Sequence, residues 1–224
     1  ILLGFFILFF LGLFFSFSST STLAGERLNK TYYFFFSKHL AFTIIAVLIM
    51  LVISALETSF LKKMIIPLFL LFFLFLILVP IVGIEVKGAK RWIDLFYFRL
   101  QPIELLKPFF ILMTVKILTL KSLQNHYIKY FLSFLLLISV IILLVEQPDL
   151  GQSILVIGSW IATVFISGVS IIFVFSFFLI FITFIGFLLY LMPEKFGYVI
   201  NRLTSFLDPS KGDNFQSTKA LDAI

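Results

Sequence analysis

The sequence contains no cysteine and only two histidines, His39 and His126. The lack of cysteine excludes disulfide bonds and thiolate metal sites in these residues, and two distant histidines do not favour a His-rich metal centre. Charge is also scarce. Charged residues make up 12% of the 224 residues and hydrophobic residues 62%, whereas soluble domains have about 25% charged and about 45–50% apolar residues. A water-soluble fold is excluded, because it could not bury this much apolar surface.

Long apolar runs recur along the chain. A helix that crosses a bilayer needs about 20 mostly apolar residues. Seven runs approach this length: 1–17, 40–56, 64–83, 104–120, 130–145, 152–168 and 171–192. Each run is continuously apolar rather than alternating, which predicts helices and not the strands of a barrel. We expect an all-α, polytopic transmembrane helical bundle, in which 1–224 is a single domain and 193–224 a terminal loop.

The spans themselves carry little chemistry. Ionisable residues inside a span mark ion or proton paths, and the runs 40–56, 152–168 and 171–192 contain none. This argues against an ion-coupled transporter. The chain starts in an apolar run at Ile1, without Met, and stops after a polar stretch at Ile224. We therefore expect a fragment that is truncated at both ends.

The longer connections, 18–39, 84–103 and 193–224, all fall on one side of a seven-span protein. This side carries twelve of the Lys and Arg residues and the opposite side carries five. The positive-inside rule alone places the long loops in the cytoplasm. However, basic residues are also kept in a loop that binds an anion. Composition leaves both orientations open.

The segment 86–108 is the richest in polar side chains, reading V-K-G-A-K-R-W-I-D and, further on, Q-P-I-E-L-L-K-P. Its cations lie beside Trp92 and fit either an interfacial belt against lipid headgroups or a site for an anionic ligand. Pro102 suits the first turn of a helix. Glu104 then lies in that turn, where the helix dipole favours a carboxylate. Lys107 follows at i+3 on the same helix face, so we expect an ion pair with Glu104.

Two further segments carry polar residues at the ends of spans. In E-Q-P-D-L-G-Q at 146–152, Asp149 and the glutamine three residues later have the spacing of a capping box. This predicts that Asp149 is a structural cap and not a catalytic group. The stretch 201–213, which holds Arg202 and Asp208, is an amphipathic piece followed by a polar turn. Alone it indicates only an interfacial loop.

Taken in order, four motifs resemble the SEDS family (shape, elongation, division and sporulation), which includes RodA and FtsW. They are K-G-A-x-R-W-I at 87–93, Q-P-x-E-L-x-K at 101–107, Q-P-D-L-G at 147–151 and R-L-x-x-F-L-D-P at 202–209. The resemblance covers nearly the whole chain. The early stretches F-S-S at 17–19 and A-G-E-R-L at 24–28 look more like the cell-division (FtsW) branch than RodA. Ile103 departs from the family pattern, which usually has Ser at this position.

The resemblance implies a ten-span protein of the bacterial inner membrane, with seven spans present here, cytoplasmic ends and periplasmic long loops. It implies a peptidoglycan glycosyltransferase that polymerises lipid II into glycan strands during septal cell-wall synthesis. A sugar hydroxyl of one lipid II attacks the anomeric carbon of a second, lipid-linked chain, and undecaprenyl pyrophosphate leaves. The implied partners are a class B penicillin-binding protein, which is a transpeptidase, and other divisome proteins. The family's proposed catalytic Asp would lie beyond Ile224.

On this basis the expected substrate-binding residues are Lys87, Arg91, Glu104, Lys107, Arg202 and Asp208. Cations among them would meet the negative charge that grows on the departing pyrophosphate. A divalent cation, Mg or Mn, can share that task, with Glu104 as its candidate ligand. We expect no organic cofactor and no nucleic acid.

Two other functions stay open. A lipid II flippase needs polar groups along a path across the membrane, which the bare spans disfavour. A non-enzymatic divisome scaffold that recruits a transpeptidase gives the cations no task beyond lipid contact.

Overall fold

The computed structural model describes residues 2–20, 33–86, 89–95 and 99–170, together with isolated positions between 172 and 204. The continuous ranges contain six helices: α1 (Leu2–Thr20), α2 (Phe34–Ala55), α3 (Thr58–Val82), α4 (Pro102–Leu118), α5 (His126–Glu146) and α6 (Leu150–Ile166). By contacts, the chain divides into two compact units, Ile1–Lys62 and Lys63–Ile224. The prediction of a single domain stays a prediction.

The helices agree with the first six predicted spans, and the prediction of a polytopic transmembrane helical bundle is confirmed. By length and composition, α2, α3 and α5 are the helices in the described part of the chain that are long and apolar enough to cross a membrane. α2 begins at Phe34, ahead of the predicted position, because Lys38 and His39 are accommodated as exposed residues in its first turns. The predicted span 171–192 and loop 193–224 lie almost wholly outside the described residues.

In the first unit, α1 and α2 contact each other through aromatic side chains. The ring of Phe17 lies 6.2 Å from that of Tyr33 and 5.3 Å from that of Phe36. Nevertheless, α2 has no buried residue. Its apolar surface is therefore available to lipid.

The core of the second unit lies where α3, α4, α5 and α6 meet. Its fully buried side chains include Leu76 of α3, Phe110 of α4, Val140 of α5 and Val156 of α6. Ile103, the residue that departs from the expected motif, is also completely buried in this core. It thus adds an apolar side chain to the packing of α4.

A small antiparallel sheet interrupts the helices where the sequence predicted only a connection. It consists of β1 (Ile84–Val86), β2 (Ala89–Asp94) and β3 (Arg99–Leu100), in the order β1-β2-β3. The strands are short, and their pairing depends on contacts across a turn, so a hydropathy scale that detects spans does not report them. Pro102 then starts α4 at its first position, as predicted, and the helix continues through Pro108.

Candidate functional site

Polar side chains gather at the end of the second unit where α3 and α5 finish and where α4 and α6 begin. We call this set the polar cluster. It comprises Arg91, Gln101, Glu104, Lys107, Gln147, Asp149 and Gln152. Helix N-termini carry partial positive charge and C-termini partial negative charge. The cluster therefore forms where the alternating directions of four helices bring both kinds of helix end together.

Arg91 reaches the polar cluster from a β-bulge. The register pairs Ile84 with Trp92 but Glu85 with Lys90, so Arg91 is the extra residue on β2 without its own partner on β1. A bulge increases the local twist and redirects a side chain. The neighbouring Lys90 is exposed, whereas Arg91 is partly buried. The cation-rich sequence thus directs only one of these two adjacent cations to the helix ends.

The guanidinium of Arg91 binds the turn between α5 and α6. Its Nε donates to the backbone oxygen of Gln147 at 3.2 Å, and its Nη2 donates to the backbone oxygen of Pro148. Nε also lies 3.7 Å from Oδ2 of Asp149. A planar guanidinium with several N–H donors suits this combination of two carbonyls and a carboxylate better than an ammonium does. Arg91 thereby ties β2 to the turn.

Asp149 occupies the N-cap position of α6, but its side chain makes no capping hydrogen bond. The prediction of a structural cap is therefore wrong in its chemistry. The carboxylate instead accepts a hydrogen bond from Nε2 of Gln101 at 3.1 Å and faces Arg91. A nearby cation and an amide donor compete with the helix N–H groups for the same oxygens. The sequence could not reveal this competition, because both partners lie far away in the chain.

Glu104 and Lys107 form the ion pair that their i, i+3 spacing predicts. Nζ of Lys107 lies 2.7 Å from Oε2 of Glu104, which confirms that prediction. The structure adds Gln152 of α6 as a bridge. Its Nε2 donates to Oε1 of Glu104 at 2.6 Å, and its Oε1 accepts from Nζ of Lys107 at 2.9 Å. One side chain thus fixes both members of the pair.

Gln152 was missed as a site residue. Its position three residues after Asp149 was the feature that could have identified it, but this spacing was interpreted as a capping box. On a helix, i and i+3 share a face, so both side chains point towards α4 and β2. The first turn of α6 therefore supplies Asp149 to Arg91 and Gln152 to the Glu104–Lys107 pair.

The described residues do not offer a ready metal cage. In the described ranges no group of three or more His, Asp or Glu side chains could hold a metal ion. Both carboxylate oxygens of Glu104 already face Lys107 or Gln152, so a cation there would have to displace an ammonium. Glu104 does not fit the expected role of a metal ligand in this arrangement.

Of the predicted site residues, the structure brings Arg91, Glu104 and Lys107 to the polar cluster, together with Asp149, the predicted cap. The remaining predicted residues, Lys87, Arg202 and Asp208, lie outside the described residues. The cluster combines a guanidinium and an ammonium at the end of strongly apolar helices. Such a combination is suited to the phosphate groups of a ligand whose tail lies in the membrane.

The whole chain, residues 1–224, matches the family of FtsW, RodA and SpoVE, described as cell cycle protein. Among curated relatives, the probable peptidoglycan glycosyltransferase FtsW of Wigglesworthia glossinidia brevipalpis is 30% identical over 217 residues, which cover 92% of this chain and 55% of the relative. The corresponding protein of Caulobacter vibrioides is 29% identical over 215 residues, which cover 96% of this chain and 54% of the relative. The chain spans about half the length of the curated relatives it matches.

Solved structures agree with this result. One, described as "Structural coordination of polymerization and crosslinking by a peptidoglycan synthase complex", has a TM-score of 0.74 and 25% identity over 92% of this chain and 59% of the matched chain. Another is the rod shape determining protein RodA of Thermus thermophilus, with a TM-score of 0.57 and 27% identity over 75% of this chain and 58% of the matched chain. The motifs, the helical bundle and these similarities agree, and the chain belongs to the FtsW, RodA and SpoVE family of cell cycle proteins.

Proposed function

We propose that the full-length protein is a peptidoglycan glycosyltransferase of the bacterial inner membrane, which polymerises lipid II into glycan strands for the septal cell wall. The observation that carries this proposal is the Glu104–Gln152–Lys107 arrangement beside Arg91, at one end of apolar helices. It offers oriented cations at the ends of apolar helices, where the phosphates of a lipid-linked sugar are expected. The names of the curated relatives support the same reaction.

Lys107 is proposed to bind the pyrophosphate of the lipid-linked chain. A lysine ammonium has three N–H donors, and the described contacts direct two of them to Glu104 and Gln152. These contacts fix Nζ in one place before substrate arrives. A cation that is already oriented stabilises charge on a departing pyrophosphate without reorganisation during the reaction.

Arg91 is proposed to act on the same pyrophosphate, because guanidinium matches phosphate oxygens in a bidentate manner. Its contacts with the backbone oxygens of Gln147 and Pro148 hold it at the cluster. Lys87, Arg202 and Asp208 are proposed to complete the substrate-binding surface. Both described carboxylates of the cluster, Glu104 and Asp149, are engaged by cations and amides, and we assign neither as the base that takes the hydroxyl proton.

The polar cluster is proposed to face the periplasm, where lipid II is available after it has been flipped. The proposed partner is a class B penicillin-binding protein, the transpeptidase that cross-links the new strands, together with other divisome proteins. The similarity to a synthase complex of polymerisation and crosslinking supports such a partner.

Polymerisation of purified lipid II by the full-length protein with its transpeptidase tests the proposal. Lys107→Met keeps an unbranched side chain of similar length and removes its charge. We expect the rate to fall by on the order of a hundredfold, the usual cost of one lost donor to a developing negative charge. Lys116→Met is the matched control, because Lys116 lies in the last turn of the same helix. It should retain polymerisation.

Other results would favour other functions. A wild-type complex that moves lipid II across vesicles but makes no glycan would favour a flippase. Wild-type protein that neither polymerises nor transports lipid II, yet still binds and activates the transpeptidase, would favour a scaffold. Equal rates for Lys107→Met and Lys116→Met would remove Lys107 from the substrate site.

A further inference from the structure

α3 contains a proline near its end, and that proline leaves one backbone oxygen without its usual partner. Pro80 lies inside α3 and has no N–H, so the carbonyl four residues earlier, that of Leu76, lacks an intrahelical donor. Leu76 is completely buried. In an apolar interior, a carbonyl without a hydrogen bond is costly. A donor from elsewhere in the protein is therefore required.

Gln147 supplies this donor. Its Nε2 donates to the backbone oxygen of Leu76 at 3.2 Å, across 71 residues of sequence. Gln147 is only 2% exposed, although glutamine is seldom so buried unless its amide is satisfied. The contact therefore explains why the Gln147 side chain can be buried and why the free carbonyl of Leu76 is tolerated in the core.

The same residue also contacts Arg91. The backbone oxygen of Gln147 accepts a hydrogen bond from Nε of Arg91 at 3.2 Å. Gln147 thus meets α3 with its side chain and β2 with its backbone. Gln147 follows α5 directly as its C-cap, so the hydrogen bond of its side chain helps to fix the carbonyl that Arg91 binds.

We propose that Gln147 is a positioning residue that uses the Leu76 carbonyl opened by Pro80 to fix Arg91 for the lipid-linked pyrophosphate. This inference rests on the proposed function for its effect on activity. The link between Gln147 and Pro80 is physical and does not depend on that function. Pro80 creates the acceptor, Gln147 occupies it, and the resulting turn presents its carbonyl to Arg91.

A double-mutant cycle in the full-length protein with its transpeptidase tests the link. Gln147→Met has a similar size and no donor, and it should lower the rate of lipid II polymerisation by roughly tenfold, since a buried carbonyl is left without its bond. Pro80→Ala supplies a backbone N–H four residues after Leu76. In that background the same Gln147→Met change should cost less than about threefold, because the helix itself then satisfies the carbonyl.

Pro67→Ala is the matched control, because Pro67 is the other proline inside α3. Removing Pro67 should leave the cost of Gln147→Met unchanged, since the carbonyl that Pro67 opens is at position 63. A loss caused only by the shape of the glutamine side chain would persist in both proline variants. An equal cost of Gln147→Met in the wild-type, Pro67→Ala and Pro80→Ala backgrounds would overturn the proposal.

The role towards Arg91 has its own readout. Gln147→Met and Arg91→Lys disturb the same guanidinium, so their combined loss of activity should be smaller than the product of the separate losses. Independent, multiplicative losses would show that Gln147 does not position Arg91.

Thermal unfolding of the same variants separates this inference from the proposed function. If wild-type protein makes no glycan, the proposed function fails, whereas the rescue by Pro80→Ala is still measured as a recovered unfolding temperature. If Gln147→Met does not accumulate as folded protein, the yield of the Pro80→Ala/Gln147→Met double variant shows whether Pro80→Ala rescues folding. Absence of rescue in yield and in unfolding temperature would contradict the link.

Discussion

Nε of Arg91 and Oδ2 of Asp149 lie 3.7 Å apart, although a turn, two helices and a strand separate them in the chain. The Asp149 side chain is 9% exposed and the Arg91 side chain 25%. Asp149 does not cap α6 and also accepts a bond from Gln101. Asp149 thus contributes the negative charge of a nearly buried carboxylate next to Arg91.

Asp149→Asn separates charge from capping. An asparagine caps a helix about as well as aspartate, so a capping role predicts little change. The observed contacts predict a loss instead, because the amide can still accept from Gln101 but no longer neutralises Arg91. We expect the free energy of unfolding to fall by about 1–3 kcal/mol, measured by denaturant unfolding of the full-length protein. Asp149→Asn with wild-type stability would restore the capping interpretation.

Arg91→Lys keeps the positive charge and removes the planar guanidinium group. A lysine lacks the planar guanidinium, two nitrogens of which bind the backbone oxygens of Gln147 and Pro148, and it cannot bind phosphate in a bidentate manner. We expect polymerisation from purified lipid II to fall by roughly tenfold or more, since a lost charge-assisted hydrogen bond costs about 1.5–3 kcal/mol. Arg99→Lys is the control, because Arg99 is an exposed arginine of the same sheet. Wild-type rates for both variants would indicate ordinary contact with lipid headgroups.

Gln152→Met should slow polymerisation by several-fold. The change removes the acceptor for Lys107 and the donor for Glu104, while the direct Lys107–Glu104 ion pair remains, so the effect should be smaller than that of Lys107→Met. Gln124→Met, at an exposed glutamine between α4 and α5, should have no effect. A rate for Gln152→Met that matches Gln124→Met would mean that the bridge does not orient the pair.

Ser133→Ala tests a buried contact between α5 and α6. Nε1 of Trp160 donates to Oγ of Ser133 at 3.3 Å, and the Ser133 hydroxyl donates to the backbone oxygen of Tyr130. Polar contacts between membrane helices contribute about 0.6 kcal/mol on average, and removing this acceptor should lower the unfolding temperature. In Ser139→Ala, the lost hydroxyl bonds to the backbone oxygen of Leu136 in the same helix, and its effect should be smaller. Equal shifts of the unfolding temperature in the two variants would show that the Trp160 contact makes no measurable contribution to stability.

Hydropathy was sufficient to predict the helices, because a span is a local property of about 20 residues. The boundaries shifted where a polar residue was tolerated near a helix end, as at Lys38 in α2. The Glu104–Lys107 pair was predictable for the same reason, since both residues lie on one turn of one helix. Motif order also singled out Arg91, Glu104 and Lys107, which the structure brings to the polar cluster.

Contacts between distant segments were not predictable. The bulge that redirects Arg91 depends on the pairing of β1 with β2. The role of Gln152 depends on how α4 lies against α6. Asp149 was misread because capping is the local choice for an aspartate before a helix, whereas its partners are an arginine on β2 and a glutamine before α4. A local pattern contains no information on partners that only the fold brings near.

Two cations and two carboxylates meet in the polar cluster, Arg91 with Asp149 and Lys107 with Glu104, so these four side chains carry no net charge. On the proposed function, a phosphate that approaches Lys107 has to compete with a carboxylate that is already there at 2.7 Å. A free inorganic phosphate competes at its concentration in solution. A pyrophosphate attached to a membrane-embedded tail competes at a much higher local concentration. On that function, the internal carboxylates raise the anion concentration that binding requires, and a ligand concentrated in the membrane reaches it more readily than a soluble anion does.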